Sequence, residues 1–192
     1  PTELDMGTTV LPFSSLNAFK DGALLVDLNG NGGVDIGDTI LYTTVVRNTG
    51  ITPVTEIFVT DTLDAGTAYV PGTFEVDGLP VADDAFPSQP AQPNAYPLDT
   101  DAPHTGGFVL VESPAGSPPP VYALPLFPGA SITMTYQVVV LPGATDPIVN
   151  TVQVRSDTET FVDTSTNPIP TALLTVTKTS NVPGDAIPGQ TI

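Results

Sequence analysis

The sequence predicts an all-β fold, an antiparallel β-sandwich with long Pro-rich loop inserts. Three observations carry this reading. Apolar and polar residues alternate with a period of two in several short segments. No segment holds a helical period of useful length. Glycine (17) and proline (22) punctuate the chain between the alternating segments, as turns between short strands require.

The clearest strand runs from Ser131 to Val140. Ile132, Met134, Tyr136, Val138 and Val140 alternate there with Ser131, Thr133, Thr135 and Gln137, the pattern of a half-buried antiparallel strand. In chain order the other strands are Thr39 to Arg47, ending at the turn Asn48-Thr49-Gly50, and Glu56 to Asp61. Thr67 to Val76 follows, bent or split at Pro71-Gly72 and closed by Asp77-Gly78. Gly107 to Glu112, Val121 to Phe127 and Ile148 to Arg155 complete the set. Residues 80–105 carry six prolines, from Pro80 to Pro103. Proline cannot donate to a ladder, so this stretch is expected to be an extended loop, and Ser113 to Pro120 a second insert.

The chain has 192 residues, 4 basic and 21 acidic, for a net charge of −17. Phosphate binding needs a basic surface, so a nucleic-acid partner is not expected, and docking on anionic lipid is disfavoured. No stretch approaches the roughly 20 apolar residues of a membrane helix, so direct membrane insertion is not expected. With no cysteine, thiol catalysis, disulfides and Cys-type zinc sites are excluded. The single histidine, His104, reads as a loop residue. Asp61 and Asp64 flank a predicted turn and read as turn caps rather than as a glycosidase pair. The chain is therefore not expected to be an enzyme. It shows no signal peptide, which suggests a removed leader or an internal piece of a longer protein.

Residues 27–38 carry a metal-ligand pattern. Asp27, Asn29, Asn31, Asp35 and Asp38 stand at positions 1, 3, 5, 9 and 12, with glycine at position 6 and Gly33 offering its carbonyl at position 7. This is the oxygen spacing of a calcium loop. Asp38 replaces the longer bidentate Glu, and two ligands are neutral, so a structural Ca²⁺ bound in the roughly 10⁻⁴ to 10⁻³ M range is expected. The alternative is an Asn/Asp turn bonded to its own backbone. Asp83, Asp84, Asp99 and Asp101 match no metal template and read as a solvated loop.

A second constellation is a lysine–asparagine pair. Asn150 shares a strand face with Val152 and Val154. Lys20 shares one with Leu16 and Ala18, and Lys178 with Leu174 and Val176. A Lys on a first strand and an Asn on a last strand is the arrangement of an isopeptide crosslink, which also needs a buried acid, Glu56 or Glu75. The competing reading is buried polar groups that only hydrogen-bond.

The segments 37–50 (GDTILYTTVVRNTG), 59–73 (VTDTLDAGTAYVPGT), 126–140 (LFPGASITMTYQVVV) and 148–157 (IVNTVQVRSD) resemble, in order, the DUF-eleven or conserved-repeat domain of bacterial and archaeal surface proteins. The resemblance covers roughly 20–160 apart from the two inserts. It implies an immunoglobulin-type sandwich, tandem repetition and an extracellular location, and no reaction.

The tail repeats the opening of the domain: Gly189 to Ile192 corresponds to Gly37 to Ile40, and Lys178 to Lys20. The expected organisation is an N-terminal extended segment (1–19), one repeat (20–170) and the first strand of a following repeat (171–192). A lone strand leaves Leu173, Leu174 and Val176 in water and its backbone unpaired. Donation of this strand to another copy, with Lys178 in the interface, would resolve both. Packing on its own domain within a tandem array is the alternative. The functional expectation is a structural subunit of an extracellular filament or repeat array, joined head to tail to copies of itself and stiffened by calcium. A second expectation is an adhesin module whose loop 80–105 meets a cell-surface glycan or protein.

Overall fold

The computed structural model describes residues 15–83, 95–100, 107–111, 125–156 and 160–167, the stretch 161–167 as backbone. In chain order the strands among them are β1 (Leu16–Val26), β2 (Thr39–Asn48), β3 (Ile57–Thr62), β4 (Thr67–Tyr69), β5 (Glu75–Val76), β6 (Leu79–Pro80), β7 (Phe108–Val111), β8 (Ser131–Val140), β9 (Ile148–Arg155) and β10 (Thr160–Asn167). One sheet runs β1-β2-β8-β5-β6, with β4 also on β8, and the other runs β10-β9-β3-β7. Every pairing is antiparallel. The fold is an all-β sandwich of two antiparallel sheets.

The predicted alternation sets which residues face inward. Ile132, Met134, Tyr136, Val138 and Val140 of β8 are all buried. They meet Ile57 and Val59 of β3 and Ile148, Val152 and Val154 of β9 in one core. Phe74 and Phe108 close it edge to face, 5.2 Å between centroids.

The stretch 67–76 is a strand pair, β4 and β5, divided at the expected Pro71-Gly72 turn, where Gly72 has a φ of 77°. Other details differ from the sequence reading. β1 begins at Leu16, ahead of the expected domain start at residue 20, because Leu16 lies on the inward face of Lys20 and is buried. β10 was not expected. In the predicted strand 121–127, the described part contributes a single bridge, Leu126 to Val54. Glu112, the insert Ser113 to Pro120 and the tail 171–192 lie outside the described residues.

The two ends of the sandwich are distinct. At one end the loop 27–38 is tied to β8 by Gly37 N–H donating to the Val140 carbonyl (2.8 Å). The turn after β3 reaches β9 there, with Val149 N–H donating to Asp64 Oδ2 (3.1 Å). At the other end Thr49 N–H donates to the Ser15 carbonyl (2.8 Å) and Gly129 N–H to the Asn48 carbonyl (2.8 Å). β1 starts at this second end. β10 finishes at the first, Asn167 opposite Ile148. The described chain thus enters at one end and leaves at the other.

Candidate functional site: a buried lysine–carboxyl–carboxamide cluster

Strand phase brings four polar residues to one place between the sheets. Lys20 is in phase with Leu16 on β1, Asp61 with Ile57 and Val59 on β3, Tyr136 with Met134 and Val138 on β8, and Asn150 with Ile148 and Val152 on β9. Lys20 is 3% exposed, Asp61 4% and Asn150 0%. Tyr136 lies opposite Tyr42 of β2 in register.

The hydrogen bonds converge on two oxygens. Lys20 Nζ donates to Asp61 Oδ2 at 2.6 Å and to the Tyr136 hydroxyl at 2.9 Å. Asn150 Nδ2 donates to the same hydroxyl at 2.6 Å, and that hydroxyl donates to Asp61 Oδ2 at 2.9 Å. Amine, carboxyl and carboxamide therefore meet around one phenolic oxygen. Aromatic rings enclose them. Lys20 Nζ lies 4.7 Å from the centre of the Tyr42 ring and 5.0 Å from that of Tyr136. Tyr96 packs on Tyr136 at 5.1 Å. Asp61 Oδ1, Asn150 Oδ1 and the hydroxyls of Tyr42 and Tyr96 are buried without a hydrogen-bond partner.

Burial governs the electrostatics. Loss of solvent pushes the Asp61 carboxyl up, while Lys20 beside it pulls it back. Burial, then the nearby Asp61 charge, holds Tyr136 and Tyr96 well above the usual tyrosine range. The Lys20–Asp61 ion pair is costly to desolvate in such a site, and a proton passed from Lys20 to Asp61 would leave a neutral amine. A neutral amine held beside a carboxamide, with a carboxyl group to move protons, has the parts needed for aminolysis of that amide.

The structure brings Lys20 and Asn150 to one hydroxyl and places beside them an acid other than the two expected. Glu56 and Glu75, the expected candidates, are not in the cluster; Asp61 is. Asp61 was read as a turn cap, yet it is buried on β3, and only Asp64 caps the turn, accepting from Gly66 N–H at 2.7 Å. The signal was present: Ile57, Val59 and Asp61 share one strand parity. The loop 80–105 is only partly as expected. Within it Tyr96 and Leu98 are 1% and 0% exposed, and Asp61 N–H donates to the Leu98 carbonyl (2.7 Å). This piece walls the site. Asp83 accepts from the Tyr69 hydroxyl (2.6 Å) and Gly72 N–H (2.7 Å). Asp84, Asp101 and His104 lie outside the described residues, as do Leu173, Leu174, Val176 and Lys178 of the expected donated strand.

The loop 27–38 is held by its own side chains. Asp27 accepts from Gly30 and Gly32 N–H (2.6 and 2.7 Å), and the Gly32 N–H lowers its pKa. Asp38 is buried and accepts from Leu28 and Asp35 N–H (2.9 and 2.8 Å), so it braces both arms of the loop. The Asn29 and Asn31 amides both donate to Asp35 Oδ2, while Gly33 N–H donates to Asn31 Oδ1 (2.7 Å). Among the described residues no three acidic, His or Cys groups gather as a metal cluster. A cation here would rest on the Asp35 carboxylate, with the Asn29 and Asn31 amides turned to present oxygen. Asp27 and Asp38 would still have lone pairs beyond those their N–H partners use.

No family model matches the chain, and no curated protein matches it. Among solved structures the chain is similar to the T6 backbone pilin of serotype M6 Streptococcus pyogenes, with a TM-score of 0.38 and 13% identity, over 80% of this chain and 35% of that one. It is also similar to the pilus backbone protein RRGB of Streptococcus pneumoniae, with a TM-score of 0.36 and 16% identity, over 72% of this chain and 51% of that one.

Proposed function

We propose that this chain is a load-bearing structural module of an extracellular filament or repeat array of the DUF-eleven type, and that an amide bond between Lys20 Nζ and Asn150 Cγ joins its two sheets. The observation that carries this is the buried cluster itself, in which Lys20 and Asn150 share the Tyr136 hydroxyl beside Asp61. The Lys20 ammonium gives a proton to Asp61. The amine then attacks Asn150 Cγ, the new C–N bond forms, and the Cγ–Nδ2 bond breaks with release of ammonia. The Asn150 oxygen stays on the new amide, so the chain loses one nitrogen and three hydrogens.

The topology supports a mechanical role. Tension between the two ends of the sandwich enters at β1 and leaves at β10. A β1–β9 crosslink would pass most of that load through covalent bonds and across one antiparallel pair. The bond is tested by intact mass, which should lie one ammonia below the sequence sum; the full sequence mass overturns it.

Head-to-tail assembly through strand donation by 171–192 is part of the same reading. It rests on the sequence repeat and on the start of β1 and the finish of β10 lying at opposite ends of the sandwich. Negative-stain microscopy of the full chain should show regular fibres, and deletion of 171–192 should abolish them. Fibres that persist in the deletion contradict strand donation.

Calcium in the loop 27–38 is the remaining part of the reading, supported by the oxygen register and the convergence of Asn29 and Asn31 on Asp35. Isothermal titration should show saturable Ca²⁺ heat at roughly millimolar concentration or below, lost in Asp27→Ala. A parent protein that gives no heat contradicts it.

A further inference from the structure

We propose that Tyr136 is a catalytic residue of the crosslinking reaction, its hydroxyl carrying the proton from Asp61 to the departing ammonia; this rests on the bond proposed above. Asp61 has no hydrogen bond to Asn150 among those described. Its link to the leaving nitrogen runs through one atom, the Tyr136 oxygen, 2.9 Å from Asp61 Oδ2 and 2.6 Å from Asn150 Nδ2. The same oxygen holds Lys20 Nζ at 2.9 Å. Attacking nitrogen, leaving nitrogen and proton carrier therefore all touch it. Tyr136 is 1% exposed, its ring packed against those of Tyr42 and Tyr96 at 5.5 and 5.1 Å between centroids. The relay therefore needs no water.

The protons balance. Lys20 passes its first proton to Asp61 Oδ2, and the neutral amine adds to Asn150 Cγ. Protonated Asp61 then donates to the Tyr136 oxygen as the Tyr136 O–H turns and gives its own hydrogen to Nδ2. The Cγ–Nδ2 bond breaks and ammonia leaves. Asp61, again a carboxylate, takes the second proton from the former Lys20 nitrogen over the 2.6 Å contact. Ammonia finally removes that proton as ammonium. The net change is a lysine ammonium plus a carboxamide giving a secondary amide plus ammonium.

The test follows intact mass in time after cell-free synthesis of the full chain, with acid quenching. Tyr136→Phe should slow ammonia loss by about a hundredfold or more, the range of a lost general acid. Tyr69→Phe, which removes a hydroxyl bonded instead to Asp83 and the Phe74 N–H, should crosslink at the parent rate. A folded Tyr136→Phe protein that crosslinks as fast as the parent overturns the relay and leaves the bond standing. A parent that never loses ammonia overturns both. If Tyr136→Phe does not fold, a fluorinated tyrosine at 136 keeps the hydroxyl and its partners while making it more acidic. The relay then predicts a severalfold change in rate, and an unchanged rate overturns it.

Discussion

Asn150→Ala should leave the protein at its full sequence mass and lower its melting temperature by about 10–20 °C. The lost crosslink closes a loop of about 130 residues, which in the chain-entropy account is worth about 5 kcal/mol. Each kcal/mol moves the midpoint of a domain of this size by roughly 2–4 °C. Calorimetry of parent and variant reads the difference. Superimposable melting curves would mean that nothing covalent passes through Asn150.

Asp61→Ala should be more damaging. It removes the proton carrier, so no bond forms, and it leaves Lys20 buried without its counter-charge. Breaking a buried pair from one side costs roughly 3–5 kcal/mol, in addition to the roughly 5 kcal/mol of the absent crosslink. Together these approach the whole stability of an ordinary domain, roughly 5–15 kcal/mol. The expected outcome is insoluble or largely unfolded protein. Replacing both partners by apolar residues, Lys20→Met with Asp61→Leu, should restore folding without restoring the crosslink, because no buried charge remains. Soluble yield, thermal unfolding and intact mass check this. Asp61→Ala protein that is folded and crosslinked would remove Asp61 from the chemistry.

Much of this was legible in the sequence because strand parity is a strong code. Period-two alternation placed β2, β8 and β9, and the same parity turned Lys20 and Asn150 inward. It also turned Asp61 inward, but the polar run Thr60-Asp61-Thr62 beside the Asp64 turn masked that signal. β10 escaped notice because its sequence, TFVDTSTN, is short of apolar residues and lacks a clear alternation. The burial of Tyr96 and Leu98 was hidden by the surrounding prolines. A proline-rich segment cannot join a ladder, yet it can still lay side chains into a core. Convergence of four strands on one hydroxyl is a property of sheet order and register, which local patterning does not encode.

The most direct measurement is tandem mass spectrometry of the digested, purified full chain. The account predicts one branched peptide in which the segment around Lys20 is joined to the segment around Asn150, lighter than the two together by one ammonia. Recovery of both segments as separate linear peptides of unaltered mass would contradict it.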